Sequence, residues 1–563
     1  MKQNCKKCKH NFTLDQDDLS FYEKMSAKGG SASGGKVPPP KVCPDCRFKM
    51  RALFRNETTL YSGRKCALCG KRVVTMYNPK SPYIIYCYDC FYSDKWDARD
   101  YAMDYDEGRS FLEQVKEFMI KVPRINLAIS PSEGQNINTE YANSASGCKN
   151  CYMIFNSSPC ENTLYSKGLK NSRDCSDLYF GKDIEQCYEC VNVHQSSKII
   201  WGQNINGSVD SYFILNCRNL MNCFGCVNLN SKSHYFLNKP MAPNEYKNKV
   251  NEIMGSYEKM QKFLEEFKKF VLNFPMRENN NIKTINSTGD YLFGCKNVKD
   301  SFEATNAEDS KYLFYSKEAK DSIGTIGYGT QSERLLETVS TGHSSNIIGS
   351  FFTHFSQDIL YGYMIRNCQN CIACDGLKNG QYCILNKQYT KEDYERLKEK
   401  IINELKEKDL YGLMMPPELA PFAYNESIAQ DNFPLTKEEV ISQGFRWEDD
   451  IQKTEGKETM KPEDIPDHIK DVKDSITDEI LKCVSCNRNY KIINQELSFY
   501  RKMNIPIPRR CFYCRHQDRI TRRGPYKFWS RNCDKCKKEI MTNYAPDRPE
   551  IIYCEKCYQQ EVY

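Results

Sequence analysis

Lys149-Asn-Cys-Tyr-Met-Ile-Phe-Asn-Ser-Ser-Pro-Cys160, Glu161-Asn-Thr-Leu-Tyr-Ser-Lys-Gly-Leu-Lys-Asn-Ser172 and Arg173-Asp-Cys-Ser-Asp-Leu-Tyr-Phe-Gly-Lys-Asp-Ile184 are three successive lines of one pattern. The 12-residue register continues without a gap through blocks starting at Glu185, Ser197, Val209, Met221 and Ser233. The second position is usually polar (Asn150, Asn162, Asp174, Gln186, Lys198, Asp210, Asn222, His234), and the third is mostly small or apolar. A fixed short period rich in β-branched, aromatic and Asn/Asp/Gly residues predicts a stacked β-solenoid. Twelve extended residues give a perimeter of only about 40 Å, so the interior admits mainly small side chains. A coil of 24 residues built from two such units is the alternative. Asn and Asp at the second position suit turns, where they tolerate unusual backbone angles.

A second array is expected to start near Asp321 and keep step through Glu333, Ser345, Gln357, Gln369 and Gln381. It lies 148 residues after the first: Met221-Asn-Cys-Phe-Gly-Cys226 answers Gln369-Asn-Cys-Ile-Ala-Cys374, and Leu237-Asn-Lys239 answers Leu385-Asn-Lys387. Upstream of Asp321 the register slips. Cysteine shares its columns in these arrays with Thr, Ser, Ile and Leu, which a metal ligand would not do. The fourteen cysteines between the terminal modules are therefore expected to be buried structural thiols. Helices are expected over Glu245–Phe274, and from a Thr390-Lys-Glu-Asp393 cap to about Asp409. Both would cover exposed strand edges.

The two ends carry a different repeat. Cys5/Cys8, Cys43/Cys46, Cys66/Cys69 and Cys87/Cys90 form four C-x-x-C pairs, matched by Cys483/Cys486, Cys511/Cys514, Cys533/Cys536 and Cys554/Cys557. The last gap is 17 residues in both copies; the first differs, 34 against 24, with the excess in the Gly/Ser-rich run Ser26–Gly35. One C-x-x-C turn supplies two thiolates and two turns make a tetrahedral zinc site. The sixteen cysteines thus predict four structural zinc ions. Whether the pairs combine in sequence or cross-braced is not fixed by their spacing.

A helix is expected to start at the second knuckle of each module, as in treble-clef fingers, with a zinc ribbon behind it. Those helices place Arg47, Arg51 and Arg55, and Arg515, Arg519 and Arg523, at i, i+4 and i+8 along one face. Residues 1–92 and 481–563 each carry a formal +10, which leaves −13 for the middle of a chain of net charge +7. Two four-thiolate zinc sites lower each module to about +6. An arginine face on a basic module suits a phosphate backbone; pairing with the acidic middle is the alternative.

The predicted organisation is mainly β with some α. It comprises a double zinc module (1–92), a helical connection (93–140), the first array (141–240), a helical insert (241–278), the second array (279–388), a helix (389–410), a Pro-rich acidic linker (411–478) and a second double zinc module (479–563). Met1-Lys-Gln-Asn-Cys5 has no signal-like pattern and no run of about 18 apolar residues occurs, so a cytoplasmic chain without membrane spans is expected. The paired knuckles, the Cys-Arg helices, Trp96-Asp97 and the Leu-Asn-Lys array ends resemble an uncharacterised zinc-ribbon family found in genomes of small, uncultivated bacteria. Some members are labelled CoA transferases. This chain has no α/β alternation, nucleotide-type glycine loop or evident carboxylate nucleophile to support that label. The expected function is nucleic-acid binding, RNA or DNA, or association with a ribonucleoprotein, through the six arginines. The alternatives are a protein-interaction scaffold in which zinc is purely structural and, less favoured, an enzyme.

Overall fold

The computed structural model describes residues 1–26, 36–129 and 134–562, so most of the Gly/Ser-rich run lies outside the described residues. The protein is mainly β with some α, and forms two compact units: Met1–Leu127 with Asn279–Ile451, and Ala128–Glu278 with Gln452–Tyr563. Each unit joins one array to one cysteine module. The N-terminal module belongs with the second array and the C-terminal module with the first. The segment 411–478 is divided between the units, and Leu413, Met414, Met415, Phe422 and Tyr424 within it are buried.

In the unit built on the first array, parallel strands pair residue i with residue i+12, as in Leu164 with Ser176, Ser176 with Tyr188 and Ser197 with Val209. The backbone explains how so short a rung closes. Asn171, Asp174, Asp177, Phe180, Asp183, Gln186, Glu189, Asn192, Gln195, Lys198, Trp201 and Asn204 all have left-handed φ, so every third residue turns the chain. The polar second position is one of these corners, with φ between 46° and 57° from Asn150 to His234. The residue after each corner points inward. Cys175, Leu178, Ile184, Cys187, Cys190, Val193 and Ile199 follow one another at multiples of three in a single core. All fourteen array cysteines are buried.

Hydrogen bonding accounts for the Cys/Ser/Thr columns. Along one side of a rung, Lys149 N–H donates to Cys160 O (2.9 Å) and Asn150 N–H to Ile137 O (2.9 Å). The inward Cys151 N–H is left over, and the Thr139 hydroxyl one rung away accepts it at 3.0 Å. Ser208 repeats this: it donates to Asn206 O (3.3 Å) and accepts Leu220 N–H (3.1 Å). A thiol serves as well, since Cys190 Sγ accepts Gly202 N–H at 3.3 Å. Corner amides also ladder, Asn192 to Asn204 to Asn216, at 2.9 and 3.0 Å.

The expected single helix over Glu245–Phe274 is two helices, Pro243–Ile253 and Tyr257–Val271. Gly255, at φ 87°, breaks it, and a Cβ there would sit 2.5 Å from the His468 ring. Phe263 of the second helix packs on the stacked array rings of Phe224 and Phe236. The array then ends on Leu237-Asn238-Lys239. Asn238 accepts Val227 N–H (2.9 Å) and donates to Val227 O (3.0 Å), so one amide closes the last rung.

In the other unit the parallel pairing begins by Ile282, inside the expected 279–388 and upstream of the start near Asp321 read from the register. Its irregularity has two sources: an offset of 11 between Ile282 and Phe293, and one of 13 between Lys320 and Glu333. The extra residue lies between Tyr328 and Ser332, where Gly329 adopts φ 95°. Asp321 therefore aligns with the corner residue Arg334, one place off the sequence alignment. Asn386 closes this array on Asp375 as Asn238 does on Val227. Thr390 caps the helix Lys391–Glu407 by accepting Asp393 N–H at 3.1 Å.

Candidate metal centres and their arginine faces

The sixteen module cysteines gather into four tetrads: Cys5/8/43/46, Cys66/69/87/90, Cys483/486/511/514 and Cys533/536/554/557. The pairs combine in chain order, not cross-braced. Every tetrad is built the same way. The first pair sits on a hairpin turn closed by a left-handed residue, Lys9, Gly70, Asn487 or Lys537, whose N–H (Lys9, Gly70, Asn487, Lys537) bonds back to the first cysteine's carbonyl. A helix begins after the third cysteine, at Pro44–Ala52, Tyr88–Tyr92, Phe512–Arg523 and Glu555–Val562, with extended backbone at Cys43, Cys87 and Cys511. The second site of each module, read as a ribbon, thus also closes on a helix. The third cysteine's N–H donates to the first cysteine's sulfur, at 3.3 Å for Cys43, Cys87 and Cys554, and the Cys511 N–H likewise bonds Cys483.

Sulfur spacing fits a bound ion. Cys8–Cys43, Cys69–Cys87, Cys486–Cys511 and Cys536–Cys554 lie 3.6, 3.8, 3.6 and 3.7 Å apart. Tetrahedral zinc–sulfur bonds of about 2.3 Å set the sulfurs about 3.8 Å apart, far beyond the roughly 2 Å of a disulfide. Within these tetrads the thiols are unequal: Cys43 and Cys533 are lowered, while Cys46 and Cys557 are raised by the neighbouring sulfurs and by burial. Hydrogen bonding from Cys46 and its backbone brings Cys43 down to about 5 against burial. At Cys533 burial raises the thiol, but the N–H groups of Cys536, Cys554 and Lys535 outweigh it and hold it at about 6. Four sulfur ligands leave no open position for water or substrate, so such a site folds its module instead of catalysing.

The arginine faces overturn an expectation. Arg47, Arg51, Arg55, Arg515, Arg519 and Arg523 do share helix faces, but those faces are buried, with each residue between 0 and 5 % exposed. In the unit holding the second array, Arg47 donates to Glu337 Oε1 (2.7 Å) and Tyr22 Oη (3.0 Å), and Arg51 pairs with Glu337 Oε2. Arg55 donates to Glu57 (2.6 Å) and to Ser340 Oγ (2.8 Å). In the other unit Arg515 reaches Asp177 (3.0 Å), Arg519 reaches Asp177 (2.9 Å) and Glu189 (3.1 Å), and Arg523 lies 3.8 Å over the Tyr526 ring. The physical reason is desolvation: a buried guanidinium needs a carboxylate, and the arrays provide it for Arg47, Arg51, Arg515 and Arg519, while Arg55 uses Glu57 of its own module. None of the six is placed to meet phosphate from solvent.

Sequence reasoning missed the carboxylates. Glu189 and Glu337 are separated by the 148 residues that relate the arrays, and each receives the helix of its own unit. That coincidence was the available signal. Arg124 was also missed: it is fully buried, 3.2 Å from Asp375, between the rings of Tyr83 and Tyr363 at 4.0 and 4.2 Å. Burial, opposed by Arg124, pushes the Asp375 carboxyl up to about 7. Trp96 Nε1 donates to Phe91 O, and Asp97 caps the turn Ala98–Tyr101, so Trp96-Asp97 is structural. Among the described residues no helix is long and apolar enough to cross a membrane.

No protein-family model and no curated protein matches the chain. Among solved structures, the chain is similar to a Desulfovibrio desulfuricans G20 protein assigned as an acetyltransferase, at 8 % identity over 44 % of this chain and 67 % of that one, with a TM-score of 0.11. A likeness at that level carries no argument about fold or activity.

Proposed function

We propose that the protein is a zinc-stabilised scaffold: two four-sided β-solenoids of 12-residue coils, each held by a double treble-clef/zinc-ribbon module, presenting their uncovered faces to a protein partner. The observation that carries this reading is the inward direction of both arginine faces. Charge that would have served a nucleic acid is spent on joining module to array. The closed four-sulfur sites support zinc as a structural ion. Thirty cysteines without a disulfide suit a reducing compartment, the cytoplasm. The family resemblance belongs to the same proposal.

Both arrays leave the corresponding face open as a shallow groove. Glu185, Gln195 and Ser197 line it in one, and Glu333, His343 and Ser345, each 148 residues on, line it in the other. Repetition of one open surface is what a scaffold requires. The test is titration of labelled RNA and DNA bearing 5′-hydroxyl ends, single- and double-stranded, into the full-length protein across a salt series. The scaffold reading expects no saturable binding. Saturable binding whose log–log salt slope amounts to several contacts, at about 0.7–0.9 each, would overturn it.

A further inference from the structure

A cavity of about 490 Å³ lies inside the unit formed by Ala128–Glu278 and Gln452–Tyr563. Its walls are aromatic: Tyr188, Trp201 and Phe213 from the array, and Tyr257 from the start of the helix Tyr257–Val271. Five cationic side chains line it, of which Arg510 pairs with Asp518, Arg522 with Glu189 and Arg515 with Asp177 behind the wall, leaving Arg509 and Lys268 without a carboxylate among the described residues, a net charge of +2. Its volume falls in the range of small-molecule sites, about 300–1,000 Å³.

The internal pairings leave donors over. Arg522 Nη2 is bound by Glu189 O (3.0 Å) and Oε2 (3.1 Å), while its Nη1 is buried without a hydrogen-bond partner. Arg509, 7 % exposed, donates through Nη2 to Ile465 O (2.7 Å) and Pro466 O (3.2 Å), and its Nη1 is likewise buried and unpartnered. Each guanidinium lies over a ring of the same cavity, Arg522 at 4.6 Å from Trp201 and Arg509 at 4.8 Å from Tyr257. Buried guanidinium N–H groups without acceptors are costly; Arg47, Arg51, Arg124 and Arg519 also carry one, so what sets Arg509 and Arg522 apart is the aromatic cavity that they line.

Duplication supplies the control. By the matching of knuckles and arrays, Phe54 stands where Arg522 does, Val42 where Arg510 does, and Gly349 where Trp201 does. In that unit the space is taken: a Cβ on Gly349 would lie 2.6 Å from Leu413 O, and Tyr361, the counterpart of Phe213, donates to Leu410 O at 3.1 Å. One copy is packed shut, and the other is open, cationic and aromatic.

We propose that this cavity binds a nucleoside mono- or diphosphate. The ring packs among Trp201, Tyr257 and Phe213, and the phosphate accepts from the guanidinium groups of Arg509 and Arg522, which line the cavity, with Lys268 at the exposed edge. The same chemistry is offered by a free nucleotide or by the 5′-phosphorylated end of a strand. The test is calorimetric titration of the full-length protein, purified under reducing conditions, with ADP, AMP, adenosine, inorganic phosphate and a 5′-phosphorylated oligoribonucleotide. ADP or AMP should bind saturably, with adenosine and phosphate each at least about tenfold weaker, the value of one charge-assisted contact. Lys268→Glu, on an exposed helix position, should weaken binding about tenfold with the unfolding midpoint unchanged; Arg522→Gln should do the same to affinity. A 5′-phosphorylated strand binding tighter than ADP would support the site and assign its source as strand ends. Absence of saturable nucleotide binding, phosphate alone binding as tightly as ADP, or affinity unmoved by Lys268→Glu would each overturn the proposal.

Discussion

Arg519 donates to Glu189 Oε1 at 3.1 Å with the arginine wholly buried, and the matching residues of the other unit, Arg51 and Glu337, form the same pair. A helix that starts on a cysteine knuckle is thereby fastened to a rung of the array. The pair is costly to assemble, because both charges leave water. It is costlier to break on one side, because the partner stays buried and charged.

Glu337→Gln should therefore destabilise its unit by about 3–5 kcal/mol, since two guanidinium groups, Arg47 and Arg51, lose one carboxylate. Denaturant unfolding of the purified variant checks this. A loss below about 1 kcal/mol, the scale of a surface pair, would show that the ion cluster does not fasten the module.

The fold was legible in the sequence where chemistry repeats at fixed spacing. Sixteen knuckle cysteines gave the four tetrads, and the columns from Asn150 to His234 gave the 12-residue offset. The shorter period of three was not legible, because corners are occupied by Phe180, Trp201 and Phe213 as well as by Asn and Asp. Side-chain type hides left-handed backbone there; the closed rung imposes it. The arginine faces misled for a different reason. An i, i+4, i+8 stripe of Arg515, Arg519 and Arg523 has the same sequence whether it meets solvent or Asp177 and Glu189, and only the tertiary contact distinguishes them.

Inward hydroxyls should be replaceable by thiols but not by alkyl groups. Ser208→Cys should cost little, whereas Ser208→Ala strands the buried Leu220 N–H and should cost about 1–3 kcal/mol. Equal stability of the two variants in urea would contradict the rung hydrogen-bond scheme.

Array thiols should also resist reagent. Cys175, Cys187 and Cys223 are fully buried and should stay unmodified by an alkylating agent until the array unfolds. Peptide mapping after native labelling reads this directly; labelling of these three at the rate of a free thiol would refute their placement.

Burial raises the Glu496 carboxyl to about 7, against Arg515 and the hydroxyls of Tyr500 and Tyr165, from an ordinary 4.5. A raised folded value means that the stabilising, protonated form is complete below about 4.5 and is lost as pH rises through about 7. The wild-type unit should lose up to about 3 kcal/mol across that window. Glu496→Gln, neutral throughout, should flatten the profile, measured as unfolding midpoint against pH. A variant with an unchanged or steeper decline would refute the assignment.

Metal analysis under reducing conditions should return about four zinc ions per chain, and Cys511→Ser should lose one and unfold its module, since structural zinc contributes on the order of 10 kcal/mol. A metal content near zero with the fold intact after chelation would refute structural zinc.

The most direct test joins both parts of the account: arginine-specific dicarbonyl labelling of the native protein, mapped by mass spectrometry, before and after metal chelation. Arg47, Arg51, Arg515 and Arg519 should remain unlabelled while exposed Arg72 and Arg173 react, and all four should become reactive once the metal is withdrawn. Labelling of those four in the native protein at the rate of Arg72 would contradict the account.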